Sequence, residues 1–336
     1  MKKRMIALMV LVCIIASGML FAAGSNENSQ TTAAPKQTFE LKFAHIAAED
    51  NSWHLAALKF KELVEKNSQG QITVKVYPNN QLGSEKEVLQ SIQTGTADIT
   101  ITADSLSAWV PVIGFMGTPY MIKDFDHLNR VVEGNVGDII EKEIIEKVGM
   151  RPIAWFARGP RYLTTNKPVR TLDDLSGIVI RVPDVPMYVT TWKTLGAKPV
   201  PMAFAEVFTA IQQNTINAQE NPLALIKSGG LYEVLKYVNK TEHVRGWIYV
   251  VIGEKKFQSL PADLQKVVLD AAQEMQKYER ELFFADEQKL AKFLVDKGMV
   301  FVDMDQDSFA QKAAVGVLPL LTKEQKALYD MVQVLR

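Results

Sequence analysis

The run Ile178-Val179-Ile180-Arg181-Val182-Pro183-Asp184 sets a guanidinium in the middle of an apolar strand pattern. A buried, unpaired charge costs several kcal/mol, so Arg181 needs a carboxylate partner or an open cavity. Its planar fork suits a carboxylate, which it binds through two parallel hydrogen bonds. Glu206 and Glu220 are candidates within the chain; an acid from outside is the other possibility. Two more arginines, Arg158 and Arg161, stand in "ARGPRYLTTNKPV" at an expected strand end. By themselves they read as two surface arginines, a reading that weakens once the whole run from Arg161 to Pro222 is taken together.

Other chemistries have no support in the residues. The chain contains no G-x-S-x-G, no H-E-x-x-H, no phosphate loop and no G-x-G-x-x-G. His45, His54, His127 and His243 are scattered, without the i,i+4 spacing of a metal pair. "DMDQDSF" begins like a calcium loop, but Ser308 stands where glycine is needed and Ala314 where glutamate is needed. A strand end and helix cap account for it better. Neither a metal nor a cofactor is expected.

The elements that must position these groups follow from the patterning. Of 336 residues, 47% are hydrophobic and 23% charged, enough for one large or two medium domains with a substantial core. Residues 1–24 have the layout of a secretory signal peptide: Lys2, Lys3 and Arg4, an apolar run, then Ala22, Ala23 and Gly24. The small residues and polar tail that follow favour cleavage near Gly24 over a membrane anchor. The single cysteine, Cys13, falls within this segment and lacks the small residues that should precede a lipidated cysteine. Without residues 1–24, 35 basic groups face 38 acidic ones and the net charge is −3. No basic face for nucleic acid is expected. Residues 25–37 are polar and low in complexity and read as a disordered tether.

From Thr38 onward the period alternates between 2 and 3.6. "TFELKF", "QITVKVY" and "DITIT" read as strands, separated by "SWHLAALKFKELVEKN" and "SEKEVLQSIQT" as helices. This β-α-β-α-β order predicts parallel pairing in an α/β sheet, with ligands at the carboxyl ends of the strands. A second series begins near Arg158, and "GWIYVVIG" at 246–253 is expected to return to the first sheet. After Pro261 an amphipathic stretch without proline or glycine until Gly298 predicts one helix of about 50 Å, long enough to serve two lobes.

The run from Arg161 to Pro222 resembles the solute-binding proteins of tripartite ATP-independent periplasmic (TRAP) transporters, the DctP-type family. The matching elements are G-x-x-I-R-V-P at 177–183, L-G-A at 195–197, P-x-x-M-x-F-x-E-V-F at 199–208 and Q-E-N-P at 219–222. "GSEKEVLQSIQTGTADI", "PY" at 119–120 and "LPADLQKVVLDAA" extend the likeness over most of 38–300. The resemblance implies an α/β fold of two lobes, each a mostly parallel sheet flanked by helices, with the long helix spanning both. Lobe 1 would comprise 38–158 with 246–285, and lobe 2 would comprise 159–245 with 286–336.

It also implies roles. Arg181 would form the bidentate bridge to the ligand's carboxylate, Asn221 would hydrogen-bond that carboxylate, Arg161 would be a second arginine, and Phe204 would pack on the ligand. Asn217-Ala218 stands where Asp-Gly is usual, and Pro160 where an aromatic is common. For the ligand's far end, the loops after the first-lobe strands offer His45, Glu49 and Asn51, and then Asp104 and Ser105. Together they would favour a sugar acid or hydroxy acid. The implied partners are that small organic acid and the membrane permease subunits, for a periplasmic monomer that is not an enzyme. A receptor for an ATP-driven transporter, a sensor module and an exported enzyme on small acids are the competing readings.

Overall fold

The structure is a computed structural model and describes residues 37–336. The expected signal segment 1–24 and all but the last residue of the tether lie outside the described residues. Two sheets organise the rest. The first contains β1 (Phe39–Ala44), β2 (Ile72–Tyr77), β3 (Ile99–Thr102) and β4 (Met150–Arg158). The second contains β5 (Tyr162–Thr165), β6 (Val179–Val182), β7 (Lys198–Pro201), β8 (Ala218–Asn221) and β9 (Tyr237–Asn239). β10 (Gly246–Gly253) then returns to the first sheet and β11 (Val300–Val302) to the second. The strand orders are β2-β1-β3-β10-β4 and β11-β9-β5-β8-β6-β7.

The parallel pairing expected around the β-α-β units is present in β1–β2, β1–β3, β6–β7 and β6–β8. Each sheet also carries one strand that runs antiparallel to both neighbours. β10 lies between β3 and β4, and β5 between β8 and β9. All eight residues of β10 are buried, which explains its unbroken apolar sequence.

The helices follow local signals. α1 (Ser52–Asn67) starts at Asn51, whose side chain accepts the Trp53 N–H. α2 (Glu85–Thr94) starts in a Ser84–Glu87 capping box and stops at left-handed Gly95. α3 (Phe125–Val132) and α4 (Asn135–Val148) complete the first lobe's outer layer. α5 (Pro186–Leu195), α6 (Val207–Gln212) and α7 (Leu223–Ser228) connect the strands of the second sheet. α8 (Glu254–Gln258) precedes α9 (Ala262–Asp296), and α10 (Gln306–Val317) and α11 (Lys323–Val334) close the chain.

A single apolar core backs the first sheet, joining Leu41 and Phe43 to Val250 and Met275. The second sheet is covered on both faces: Ile180 and Val182 pack with Trp192 and Phe309, while Val179 packs on the side of Val238 and Leu294. α9 runs 35 residues and belongs to both lobes. Val268, Ala272 and Met275 lie in the first core, and Leu290 and Leu294 in the second. Besides α9, two strand connections link the sheets at 159–161 and 240–245. These lie side by side, with the Arg161 N–H donating to the Val244 carbonyl at 2.9 Å.

Candidate functional site

A cavity of about 320 Å³ opens between the sheets at these connections. Its second-lobe wall carries Arg161, Arg181, Phe204 and Asn221. Its first-lobe wall carries Glu85, Lys86, Ser105 and Arg158.

Arg181 sits on β6, with Val200 of β7 and Gln219 of β8 as its paired neighbours. It is 4% exposed, yet among the described residues its side chain hydrogen-bonds only the Met202 carbonyl, from Nε and Nη2 at 2.8 and 2.6 Å. No carboxylate among the described residues pairs with it. Glu206 turns to the Ala203 N–H instead, at 3.0 Å. Burial pulls the Arg181 guanidinium down to about 10, against the raising pull of Glu220 at longer range. The charge is held rigidly, with its carbon 5.9 Å from the Phe204 ring, and is incompletely compensated by the protein.

Arg161 is arranged differently. Its fork grips Glu220: Nε bonds Oε2, Nη2 bonds Oε1 at 2.7 Å, and Nη2 also reaches the Glu220 carbonyl at 2.9 Å. Nη2 reaches Asn221 Oδ1 at 3.1 Å as well, and the other face of Arg161 lies 5.0 Å over the Tyr188 ring. Nη1 makes none of these bonds. Burial works to raise the Glu220 carboxyl, but the charge and hydrogen bonds of Arg161, with His243, bring it down to about 2. Burial holds His243 below its ordinary value. Its Nε2 lies 3.0 Å from Glu220 Oε2 and its Nδ1 2.9 Å from Thr241 Oγ1. The internal acid considered for Arg181 therefore belongs to Arg161. Asn221 is fixed between this pair and Gln219, whose Oε1 accepts from its Nδ2 at 2.7 Å.

The first-lobe expectations divide. Ser105 lies on the cavity wall. Asp104 lies just beside it, tied to Arg158 Nη1 at 3.2 Å and to the Tyr188 hydroxyl at 3.2 Å. His45, Glu49 and Asn51 are not on the wall. His45 is 2% exposed and bonded to His54 at 3.2 Å. Glu49 is exposed on the outer loop. Asn51 caps α1 and donates to Ser228 Oγ at 3.0 Å, which consumes its amide. The reason is geometric: the chain turns into α1 immediately after β1, so the residues that follow that strand become caps and contacts.

The cavity wall also holds groups the sequence reading did not single out. Glu85, the first residue of α2, accepts the Thr102 hydroxyl at 2.7 Å, and burial raises its carboxyl. Lys86 pairs across the opening with Asp184. The signal for Glu85 was the capping box that starts α2 beside the β3 end, a position where a helix terminus faces a ligand site.

The structure is thus a two-lobed α/β fold with a rigid guanidinium, unpaired with any acid among the described residues, at a cavity between its lobes. The chain belongs to family 7 of the bacterial extracellular solute-binding proteins, whose profile matches residues 43–318. It is 44% identical over 300 residues to a solute-binding protein of Roseobacter denitrificans, covering 89% of this chain and 92% of that one. It is 31% identical over 308 residues to the 2,3-diketo-L-gulonate-binding periplasmic protein of Escherichia coli, covering 91% and 93%. The crystal structure of a TRAP periplasmic solute-binding protein from Roseobacter denitrificans with bound L-galactonate superposes with a TM-score of 0.86. That match has 44% identity and covers 88% of this chain and 99% of that one. A Haemophilus influenzae TRAP solute-binding protein with bound L-gulonate gives 0.85 at 28% identity, covering 89% and 100%. The family resemblance, the two-lobed fold and the solute-binding class expected from the sequence are thereby established.

Proposed function

We propose that this protein captures a sugar acid, of the open-chain aldonate kind carried by its relatives, by closing its two lobes on the carboxylate. The observation that carries this reading is Arg181: a buried guanidinium on a rigid strand, facing a cavity, without an acid of its own. The ligand's carboxylate supplies the missing counter-charge through a bidentate bridge. Asn221 and the unused Nη1 of Arg161 hold the same carboxylate, and Phe204 packs on the adjoining carbons. Glu85, Ser105 and Arg158 meet the hydroxyls at the other end. Burial raises the Glu85 carboxyl, whose Oε1 accepts the Thr102 hydroxyl at the cavity wall.

The lobes are 38–158 with 246–285 and 159–245 with 286–322, joined at the two strand connections and through α9; the C-terminal helix α11, expected in lobe 2, packs on lobe 1 instead, where Leu328 and Val332 enter the first core. Residues 1–24 direct export, and the closed receptor hands its acid to the membrane permease of a TRAP transporter in the periplasm. No catalytic step is part of this role.

Thermal unfolding against L-galactonate, L-gulonate and 2,3-diketo-L-gulonate, each beside its neutral lactone or amide, tests the reading. An acid at 100 times its dissociation constant adds about 2.7 kcal/mol of stability. We expect such a rise with at least one acid, none with the neutral form, and none in Arg181→Met. A rise that persists in Arg181→Met, or equal rises for acid and amide, defeats it.

A further inference from the structure

A second cavity, of about 270 Å³, shares Arg158 and Leu225 with the cleft and otherwise has its own walls. Trp53 of α1, Leu223 of α7, and Phe283 and Phe293 of α9 make it mainly apolar. One acidic side chain, Glu279, is sealed into that lining. It is 1% exposed; its Oε1 accepts the Ser52 hydroxyl at 2.9 Å, and its buried Oε2 has no partner among the described residues. A buried carboxyl oxygen left without a hydrogen bond costs free energy, so natural proteins rarely keep one without a use.

The other charges on this wall are already matched. Asp50 pairs with Lys227 at 2.7 Å, Asp286 with Lys289 at 3.6 Å, and Arg158 with Asp104 at 3.2 Å. Arg280, the next residue along α9, lies 4.8 Å over the Trp155 ring and reaches Glu133 at 3.5 Å. Glu279 is therefore the acid of this cavity that lacks a cation. Burial pushes its carboxyl up to about 8, the behaviour of an acid without a counter-charge.

We propose that this cavity binds a small apolar primary amine, with the ammonium on Glu279 Oε2 and the hydrocarbon body against Trp53, Phe283 and Phe293. An ammonium brings the hydrogen-bond donor and the positive charge that Glu279 lacks. Aromatic faces attract a cation as well as an apolar chain. The volume, just under the ~300–1,000 Å³ of drug-sized pockets, suits an arylalkylamine rather than a larger base.

Titration calorimetry with 2-phenylethylamine and its uncharged analogue 2-phenylethanol, on the purified acid-free protein, tests this. Saturable amine binding is expected, weaker by about tenfold or more for the alcohol, since a charge-assisted hydrogen bond is lost. Glu279→Gln should lose amine affinity by a similar factor, and Phe283→Ala should weaken both probes. Should Glu279→Gln fail to fold, the amine-against-alcohol comparison and Phe283→Ala decide alone. Absence of saturation at any soluble amine concentration, equal binding of the alcohol, or full amine affinity in Glu279→Gln would each overturn the proposal.

Discussion

At the scale of single residues, two arginines of one cleft do opposite work. Arg161 is committed to Glu220, and removing either leaves a buried charge unmatched. Breaking such a pair costs about 3–5 kcal/mol, so Arg161→Met should unfold at much lower urea than the parent. Arg181 has no paired acid among the described residues to orphan, and in the proposed role its charge stays uncompensated until the ligand's carboxylate meets it. Arg181→Met should therefore match or exceed the ligand-free parent in urea while losing all stabilisation by the acid. A large loss of ligand-free stability in Arg181→Met would show that it is structural. His45 gives a prediction in pH. Burial, then the neighbouring His54, draws its ring down to about 3, well below the value near 6.5 in the unfolded chain. Below pH 6.5 the unfolded state takes up a proton that the folded state refuses. Stability should thus fall by about 1.4 kcal/mol per pH unit from 6.5 towards 3 on account of this group. Urea midpoints between pH 6.5 and 4 should show a shallower slope in His45→Gln; an unchanged slope would mean the ring titrates normally when folded.

At the scale of elements, what could be read from the sequence depended on how local its cause is. The run around Arg181 announced itself as a strand because β6 is apolar on both faces, and α2 because its cap and its glycine lie within it. The length of α9 was legible from the absence of breakers. The antiparallel placement of β10 was only half legible: its apolar run signals burial on both sides, while its direction is set by a connection from the other lobe. The site followed the same rule. Arg181 and Asn221 sit in one contiguous pattern, whereas Glu85 meets them only through the docking of two lobes, which no local periodicity encodes. Conversely, His45, Glu49 and Asn51 follow a strand end in sequence yet are drawn off by α1. Where helices meet tightly, one atom matters. A Cβ on Gly137 would lie 1.9 Å from the Val132 carbonyl oxygen, because α4 begins hard against the end of α3. Gly137→Ala must shift that backbone, and overpacking of this kind costs about 1–3 kcal/mol or more. We expect a lower melting temperature with acid affinity unchanged, because this junction lies outside the cleft; a normal melting temperature would show that the junction yields freely.

For the whole molecule, the contacts that bridge the lobes at the cleft mouth are few and exposed. Lys86 pairs with Asp184 across the opening, with side chains 34% and 63% accessible, and Asp50 pairs with Lys227 farther round, at 2.7 Å. Exposed pairs of this sort contribute about 0–1 kcal/mol and weaken with salt. They add little to the Tyr188–Asp104 and Asn51–Ser228 hydrogen bonds that also cross between the lobes, whereas the proposed ligand would bring a full counter-charge to Arg181. Closure in this picture is a population shift, driven by an acid that touches both walls and so prefers the closed arrangement. Two consequences follow for solution measurements. Small-angle scattering should report a smaller radius of gyration with a binding acid than without it, and no change in Arg181→Met. Asp184→Asn, by contrast, should preserve that contraction and raise the dissociation constant by no more than about fivefold, the most that ~1 kcal/mol allows. The loss should appear in the dissociation rate, since a latch formed after docking slows escape rather than speeding encounter. If Asp184→Asn abolished the contraction, the mouth pair rather than the carboxylate on Arg181 would be driving closure, and Arg181 would have to be recast as an anchor that binds without moving the lobes.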